Sequence, residues 1–69
     1  MDMRRIVGDN VKRARLAAGL TQEELSDRSG FSQQYLSGLE QGKRNPTIVS
    51  IYELAQALGV SHESLIVQA

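Results

Sequence analysis

The stretch TQEELSDRSGFSQQYLSGLEQ, residues 21–41, contains two short helical patterns separated by three residues. Thr21 and Ser32 stand at the starts of these patterns, where a side-chain hydroxyl can accept hydrogen bonds from the free N–H groups of the first helical turn. Gly30 follows the first pattern, in the position after a helix where the left-handed backbone conformation favours glycine. The stretch therefore predicts two helices, over residues 22–29 and 33–41, and a turn between them at residues 30–32.

The same start and stop signals recur along the rest of the chain. Hydroxyl residues precede apolar periodic segments at Thr47 and Ser61, and glycines follow such segments at Gly19, Gly42 and Gly59. Three of the four predicted caps also have apolar residues at the flanking positions of a hydrophobic staple. We therefore expect an all-α fold, a compact single domain of five helices. It spans residues 1–69, and its remaining helices cover about residues 3–18, 48–58 and 62–66.

Two of the predicted helices have an apolar stripe at a spacing of about 100° per residue, which is typical of a face buried in a core. The stripe of the first helix consists of Val7, Val11, Ala14 and Ala18. The stripe of the fourth helix consists of Ile48, Ile51, Tyr52, Leu54, Ala55 and Leu58. We assign all of these side chains to the core.

The turn between the second and third helices determines how those helices are arranged. Two short helices joined by a tight, glycine-containing turn cross at a steep angle and form a helix-turn-helix, in which the second helix projects from the body. On a helical wheel, the apolar face of that helix holds Tyr35, Leu36 and Leu39. The opposite face is small, uncharged and rich in amides: Gln33, Gln34, Ser37, Gly38 and Gln41.

This amide-rich face differs from an ordinary exposed helix face, which carries paired lysines and glutamates. Glutamine can hydrogen-bond to both N7 and the N6 amine of adenine, and a neutral side chain enters a phosphate-lined groove at modest desolvation cost. The face therefore predicts a surface that reads double-stranded DNA in the major groove. An ordinary polar helix face is the alternative that the residues alone leave open.

Groups suited to phosphate lie around this face. Gln22 and Gln33 each begin a helix, where free N–H groups and the positive end of the helix dipole favour anions. Lys43, Arg44 and Asn45 follow the third helix, and we expect them to make phosphate contacts that position the protein on DNA. For Lys43 and Arg44, charge complementation of the helix C-terminus is an equally good interpretation.

The charge of the chain gives weaker support for a nucleic-acid partner. The formal net charge is zero, whereas DNA-binding domains usually carry a basic excess. The distribution is uneven, because residues 1–20 contain five basic and two acidic residues. Residues 1–8 lack the apolar stretch of a secretion signal, and no apolar run reaches the ~20 residues that span a bilayer. We therefore expect a cytoplasmic protein with no membrane partner.

Residues suited to catalysis, metal binding or a cofactor are few. His62 is the only histidine, its neighbour Ser61 is explained as a helix cap, and the chain contains no cysteine. A general base or nucleophile needs an orienting partner, which these residues do not supply. His62 and Glu63 alone make a poor metal site. We therefore expect no enzyme activity, no metal, no cofactor and no small-molecule ligand.

The chain resembles the Cro and phage-repressor helix-turn-helix family over nearly its whole length. The resemblance rests on RARLAAGLTQEELSDRSGFSQQYLSGLEQGKRNP at residues 13–46, followed by IYELAQALGVS at residues 51–61. The short words in these stretches are common, but their order and spacing together are specific. The resemblance implies a lambda-repressor-like five-helix domain that acts as a small transcriptional regulator, with its third helix in the major groove.

The resemblance also implies roles for individual residues. Arg15 and Glu40 match an inward-turned ion pair between the first and third helices, and Gly38 departs from the pattern because relatives often carry a long polar side chain there. The positions that match DNA contacts in relatives are Gln22, Gln33, Gln34, Ser37 and Lys43.

A single recognition helix touches few bases, and the family pairs two such helices about 34–36 Å apart in successive major grooves. We therefore predict a homodimeric repressor on a pseudo-palindromic operator. Leu65, Ile66 and Val67 are the predicted dimer contacts, because three consecutive apolar residues cannot all face one small core. A frayed C-terminus is the alternative for these residues. A protein-interaction module on the same fold, such as an antitoxin or adaptor, is the alternative function.

Overall fold

The computed structural model describes residues 2–68, which form four α-helices and a short 3-10 helix. The helices are α1 (Met3–Ala17), α2 (Gln22–Ser29), α3 (Gln33–Glu40) and α4 (Ile48–Leu58), and the 3-10 helix is His62–Leu65. α3 packs against α1 and α2, α2 packs against α4, and the 3-10 helix contacts α1 and α4. The all-α prediction is confirmed. None of the helices in this range is long and apolar enough to cross a membrane.

A side chain caps the start of each α-helix. Thr21, Ser32 and Thr47 accept hydrogen bonds from backbone N–H groups three residues later, at the positions that the sequence predicted. Asp2 caps α1 in a similar way. The carboxylate of Glu24 also accepts a hydrogen bond from the N–H of Thr21 (2.9 Å), which completes a capping box at the start of α2.

The prediction of a fifth α-helix over residues 62–66 is wrong. Ser61 caps this segment as expected, but the hydrogen bonds within it join residues three apart, as in a 3-10 helix. The carbonyl oxygens of Leu65 and Val67 accept hydrogen bonds from the side chain of Asn10 in α1, at 3.0 and 2.7 Å. The segment ends at Ile66, whose φ of −114° and ψ of 0° are not helical, and Asn10 attaches the main chain on both sides of this residue to α1.

The core includes side chains from all four α-helices and from the 3-10 helix. Its buried members are Val7, Val11, Leu20, Leu25, Leu36, Leu39, Ile51, Leu54, Ala55, Leu58 and Leu65. Ile48 and Tyr52, which the sequence assigned to the core, are 65% and 51% exposed, and Ala18 is also exposed. The four buried residues of α4 span an arc of only about 100° around its axis, and Ile48 and Tyr52 lie outside that arc. The apolar stripe of α4 is therefore wider than the surface that the other helices cover.

The backbones of α1 and α3 approach closely at Gly8. A Cβ atom at this position would overlap the carbonyl oxygen of Leu39, so a larger residue cannot be accommodated without moving one of the helices. The absence of a side chain at Gly8 therefore allows α1 and α3 to approach this closely.

Candidate nucleic-acid interface

Hydrogen bonds between residues that are close in the sequence fix the turn between α2 and α3. Gly30 ends α2 with a φ of 82°, in the left-handed region, and its N–H donates to the carbonyl oxygen of Ser26 (2.9 Å). The hydroxyl of Ser26 donates to the carbonyl oxygen of Phe31 (2.5 Å), and the N–H of Phe31 donates to Oγ of Ser29 (3.2 Å). These bonds determine the direction in which α3 leaves the turn.

One face of α3 lies in the core and the other faces solvent. Leu36 and Leu39 are fully buried, and Tyr35 is half-buried against the core. The amide of Gln41 donates to Oγ of Ser37 (3.2 Å), which joins these two polar groups near the end of α3. The predicted reading residues share the outer face, with exposed side chains at Gln33, Gln34 and Gln41 and half-buried positions at Ser37 and Gly38.

The end of α3 is attached to α1 through an ion pair. Arg15 binds the carboxylate of Glu40 twice, from Nε to Oε2 (2.7 Å) and from Nη2 to Oε1 (3.0 Å), and its Nη1 donates to the carbonyl oxygen of Leu20 (2.8 Å). The two side chains are only 10% and 4% exposed. The hydrogen bonds to Glu40 raise the pKa of Arg15 above its ordinary value, so the guanidinium stays charged. The structure therefore contains the ion pair that the resemblance implied.

Gln22 lies beside this ion pair, at the start of α2. Its side-chain amide donates to Oε1 of Glu40 (3.1 Å), and the residue is half-buried. One carboxylate therefore receives donors from both α1 and α2, which fixes the start of α2 and the end of α3 relative to each other.

The loop after α3 folds back on the helix. The N–H of Lys43 donates to the carbonyl oxygen of Gly38 (2.9 Å), and Lys43, Arg44 and Asn45 are all exposed. The side chain of Arg44 passes alongside Gly38, and its guanidinium carbon lies 5.8 Å from the centre of the Tyr35 ring. Lys43 and Arg44, two of the predicted phosphate-binding residues, therefore lie beside the amide-rich face of α3, whereas Asn45 lines a cavity with Met3 and Arg4 of α1.

The three predicted dimer contacts differ in their exposure. Leu65 is 1% exposed and belongs to the core, and Ile66 is half-buried against the core. Val67 is 54% exposed. Of these three residues, Val67 is the most exposed.

Asn10 of α1 is a structural residue that the sequence analysis missed. It is buried, its Nδ2 donates to the carbonyl oxygens of Leu65 and Val67, and its Oδ1 accepts a hydrogen bond from Nη1 of Arg13 (3.0 Å). The available signal was a polar residue three positions after Val7, next to the apolar stripe of α1. Buried polar groups are almost always hydrogen-bonded, so an asparagine there predicts a partner from elsewhere in the chain.

The segment that carries this geometry also matches a known family. A profile of helix-turn-helix proteins matches residues 11–65, which include α2, the turn and α3. The chain belongs to the helix-turn-helix family.

Relatives of this helix-turn-helix protein are similar to it over most of its length. The uncharacterized HTH-type transcriptional regulator y4dJ of Sinorhizobium fredii is 67% identical over 66 residues, which cover 96% of this chain and 86% of the relative. The hypothetical transcription factor NHTF from Neisseria has a similar crystal structure, with a TM-score of 0.92 and 31% identity over 97% of this chain and 77% of that one.

A second similar structure contains DNA. It is the tetramer of the restriction-modification controller protein C.Esp1396I in complex with its natural 35 base-pair operator. The TM-score is 0.85 at 34% identity, and the match covers 94% of this chain and 86% of that one.

Proposed function

We propose that this protein is a small transcriptional regulator, not an enzyme, and that it binds double-stranded DNA in a sequence-specific manner with α3 in the major groove. The main support is the exposed amide face of α3, whose orientation is fixed by the turn at one end and by Glu40 at the other. An α-helix fits the major groove of B-DNA, where each base pair presents a distinct pattern of donors and acceptors. The operator complex of the related controller protein supports the same function.

In this proposal, the residues of the interface have two different roles. Gln33, Gln34 and Ser37 contact base edges, and the two glutamines favour adenine because an amide can pair with its N7 and N6 groups. Lys43 and Asn45 contact phosphates, which positions α3 in the groove but carries no sequence information.

Binding measurements on alanine variants test this division. Gln33→Ala and Gln34→Ala should each weaken binding to the best site, selected from a random duplex library, by about 1–3 kcal/mol and weaken binding to random DNA less. Lys43→Ala should weaken both kinds of binding alike and reduce the dependence of affinity on salt concentration. Gln56→Ala is the matched control, because Gln56 is an exposed glutamine on α4 and lies outside the proposed interface.

Two results would contradict the proposal. If the glutamine variants lost the same free energy on selected and random DNA, the amide face would not read bases. If the wild-type protein enriched no sequence from the library, the function itself would be wrong, and an antitoxin or adaptor role on the same fold would become the better hypothesis.

The proposal includes a two-fold homodimer on a pseudo-palindromic operator. One recognition helix covers too few base pairs for a useful site, and a dimer places two such helices about 34–36 Å apart in successive major grooves. Val67 is the exposed apolar residue that we assign to the contact, with Ile66 beside it. A contact of this size is weak by itself, and DNA strengthens it by holding two half-sites together.

Sedimentation tests the dimer. The wild-type protein should associate at high micromolar concentration, and it should bind DNA with paired half-sites more tightly than DNA with a single half-site. Val67→Asp should weaken the association and reduce this difference in affinity. Leu16→Asp is the matched control, because Leu16 is exposed to a similar extent on α1. Monomers for all three proteins, together with equal affinity for single and paired half-sites, would remove the dimer from the proposal.

Repression is the regulatory action that we propose. A small dimer bound at an operator excludes other proteins from that stretch of DNA, and the fold needs no catalytic group for this effect. Because the target is DNA, the proposed location is the cytoplasm.

A further inference from the structure

We propose that Gly38 provides a seat for the side chain of Arg44, and that Arg44, held in this seat, reads a base next to the one contacted by Gln34. The inference rests on the proposed DNA-binding function and adds a specificity-determining residue to it. It explains the one position at which the reading face has no side chain of its own.

The first observation is the close packing between Arg44 and the backbone of α3. A Cβ atom added to Gly38 would lie 3.0 Å from Nε and 3.3 Å from Cγ of Arg44. These distances are shorter than ordinary van der Waals contacts, so the stem of Arg44 lies across α3 at Gly38 and would have to shift by a few tenths of an ångström if this residue carried a Cβ. Glycine lowers helix stability relative to alanine, and the seat supplies a reason for a glycine in the middle of α3.

The second observation is the aromatic platform that receives the guanidinium. The guanidinium carbon of Arg44 is 5.8 Å from the centre of the Tyr35 ring, a distance at which arginine and an aromatic ring attract each other. The Tyr35 ring is itself stacked on the ring of Phe31, with 5.2 Å between centres and 22° between planes. Since Phe31 belongs to the turn before α3, the platform is fixed to the helix-turn-helix itself.

Together these contacts direct Arg44 toward the start of α3. Gly38 lies one turn after Gln34, and Tyr35 lies one turn before Gly38, so the side chain runs from the loop back along the helix. Residues near the N-terminus of a recognition helix are the ones that contact base edges. The planar guanidinium can bond to both O6 and N7 of guanine, which is the commonest specific contact in the major groove. A free arginine in the loop would instead contact phosphate.

The first test asks whether the seat exists in the free protein. The Nε–Hε resonance of Arg44 should show a ring-current shift in the NMR spectrum of the wild-type protein, and Gly38→Ala should remove it. Gly38→Ala should unfold at the same temperature as the wild type or higher, because alanine favours the helix. An unchanged Arg44 resonance in Gly38→Ala would overturn the seat without reference to DNA.

The second test measures base preference by selection from a random duplex library. Arg44→Ala, Arg44→Lys and Gly38→Ala should each lose the preference for guanine at one position of the half-site, with a drop in affinity on the order of 10- to 100-fold when that guanine is present. Lysine keeps the positive charge but lacks the planar fork, so it separates base reading from phosphate binding. The double variant Gly38→Ala/Arg44→Ala should bind as tightly as Arg44→Ala alone.

The outcomes separate this inference from the proposed function. If Arg44→Lys kept the wild-type preference, or if Arg44→Ala weakened binding to all sequences equally, Arg44 would be a phosphate contact and the inference would fall while DNA binding stood. Additive losses in the double variant would show that Gly38 acts independently of Arg44. If the wild-type protein itself selected no sequence, the proposed function would fail first, and the NMR result would still decide whether the seat exists.

Discussion

Replacing Glu40 by glutamine should destabilise the protein strongly, because it leaves the charge of Arg15 buried without its partner. The two oxygens of Glu40 accept three hydrogen bonds, at 2.7 and 3.0 Å from Arg15 and at 3.1 Å from Gln22. In Glu40→Gln, one oxygen becomes an NH₂ group, which faces the N–H donors of Arg15 and cannot accept from them. The variant therefore loses both the neutralising charge and an acceptor.

The expected magnitude follows from the burial of the pair. Glu40 is 4% exposed and Arg15 is 10% exposed, so water screens neither charge effectively. Breaking a buried ion pair by removing one partner costs about 3–5 kcal/mol. Folded domains have a stability of roughly 0.05–0.15 kcal/mol per residue, which gives about 3–10 kcal/mol for a chain of this length. Glu40→Gln should therefore remove a third or more of the total stability.

A double-mutant cycle measured by urea unfolding isolates the interaction. Arg15→Met should also be costly, since it leaves the carboxylate of Glu40 buried, but the double variant Arg15→Met/Glu40→Gln should cost much less than the sum of the two single changes. We expect a coupling free energy of about 2 kcal/mol or more. Trimethylamine oxide can be added to all four proteins to keep the single variants folded.

The exposed pair Arg5 and Asp9 provides the control. These side chains are 3.6 Å apart at i and i+4 on α1, and each is more than half exposed. Their coupling in an equivalent cycle should be at most about 0.5 kcal/mol, because solvent screens exposed ion pairs. If the Arg15 and Glu40 variants were additive within about 0.5 kcal/mol, the reasoning from burial would be refuted.

Two further predictions concern helix packing and pH. The backbone hydrogen bond from Thr21 holds the pKa of Glu24 below its ordinary value of 4.5, so the capping box should stabilise the protein above that pH and lose its effect as pH falls through the lowered pKa. The difference in melting temperature between the wild type and Glu24→Ala should therefore shrink between about pH 7 and pH 3, and a difference independent of pH would contradict this. Gly8→Ala should lower the free energy of unfolding in urea by about 1–3 kcal/mol, because the Cβ of the alanine would collide with the carbonyl group of Leu39. Stability equal to the wild type or higher, the ordinary effect of alanine in a helix, would contradict the close approach.

The helix starts were predictable from the sequence because capping is a local interaction. Thr21, Ser32 and Thr47 each bond to a backbone N–H three residues away, so the residues that decide the structure are adjacent in the sequence. The amide face of α3 was predictable for a related reason, since its position follows from the helical period once Leu36 and Leu39 are assigned to the core.

Features that depend on distant parts of the chain were not predictable in this way. The exposure of Ile48 and Tyr52 depends on how far the other helices extend over α4, which no periodicity in α4 itself reports. The attachment of the C-terminal segment to α1 depends on Asn10, which is more than 50 positions away from its partners. The path of Arg44 depends on the missing side chain of Gly38, and from the sequence this glycine indicated only the loss of a contact.

Asn10 holds the C-terminal segment through its main chain, so the hydrogen bonds do not depend on which side chains the segment carries. Both hydrogen bonds end on main-chain carbonyl oxygens, which every amino acid possesses, so residue 67 can change its side chain without releasing the segment from α1. If residue 67 forms the proposed dimer contact, two regulators with this fold in one cell can carry different side chains there. Such a difference would disfavour mixed pairs while both hydrogen bonds from Asn10 remain.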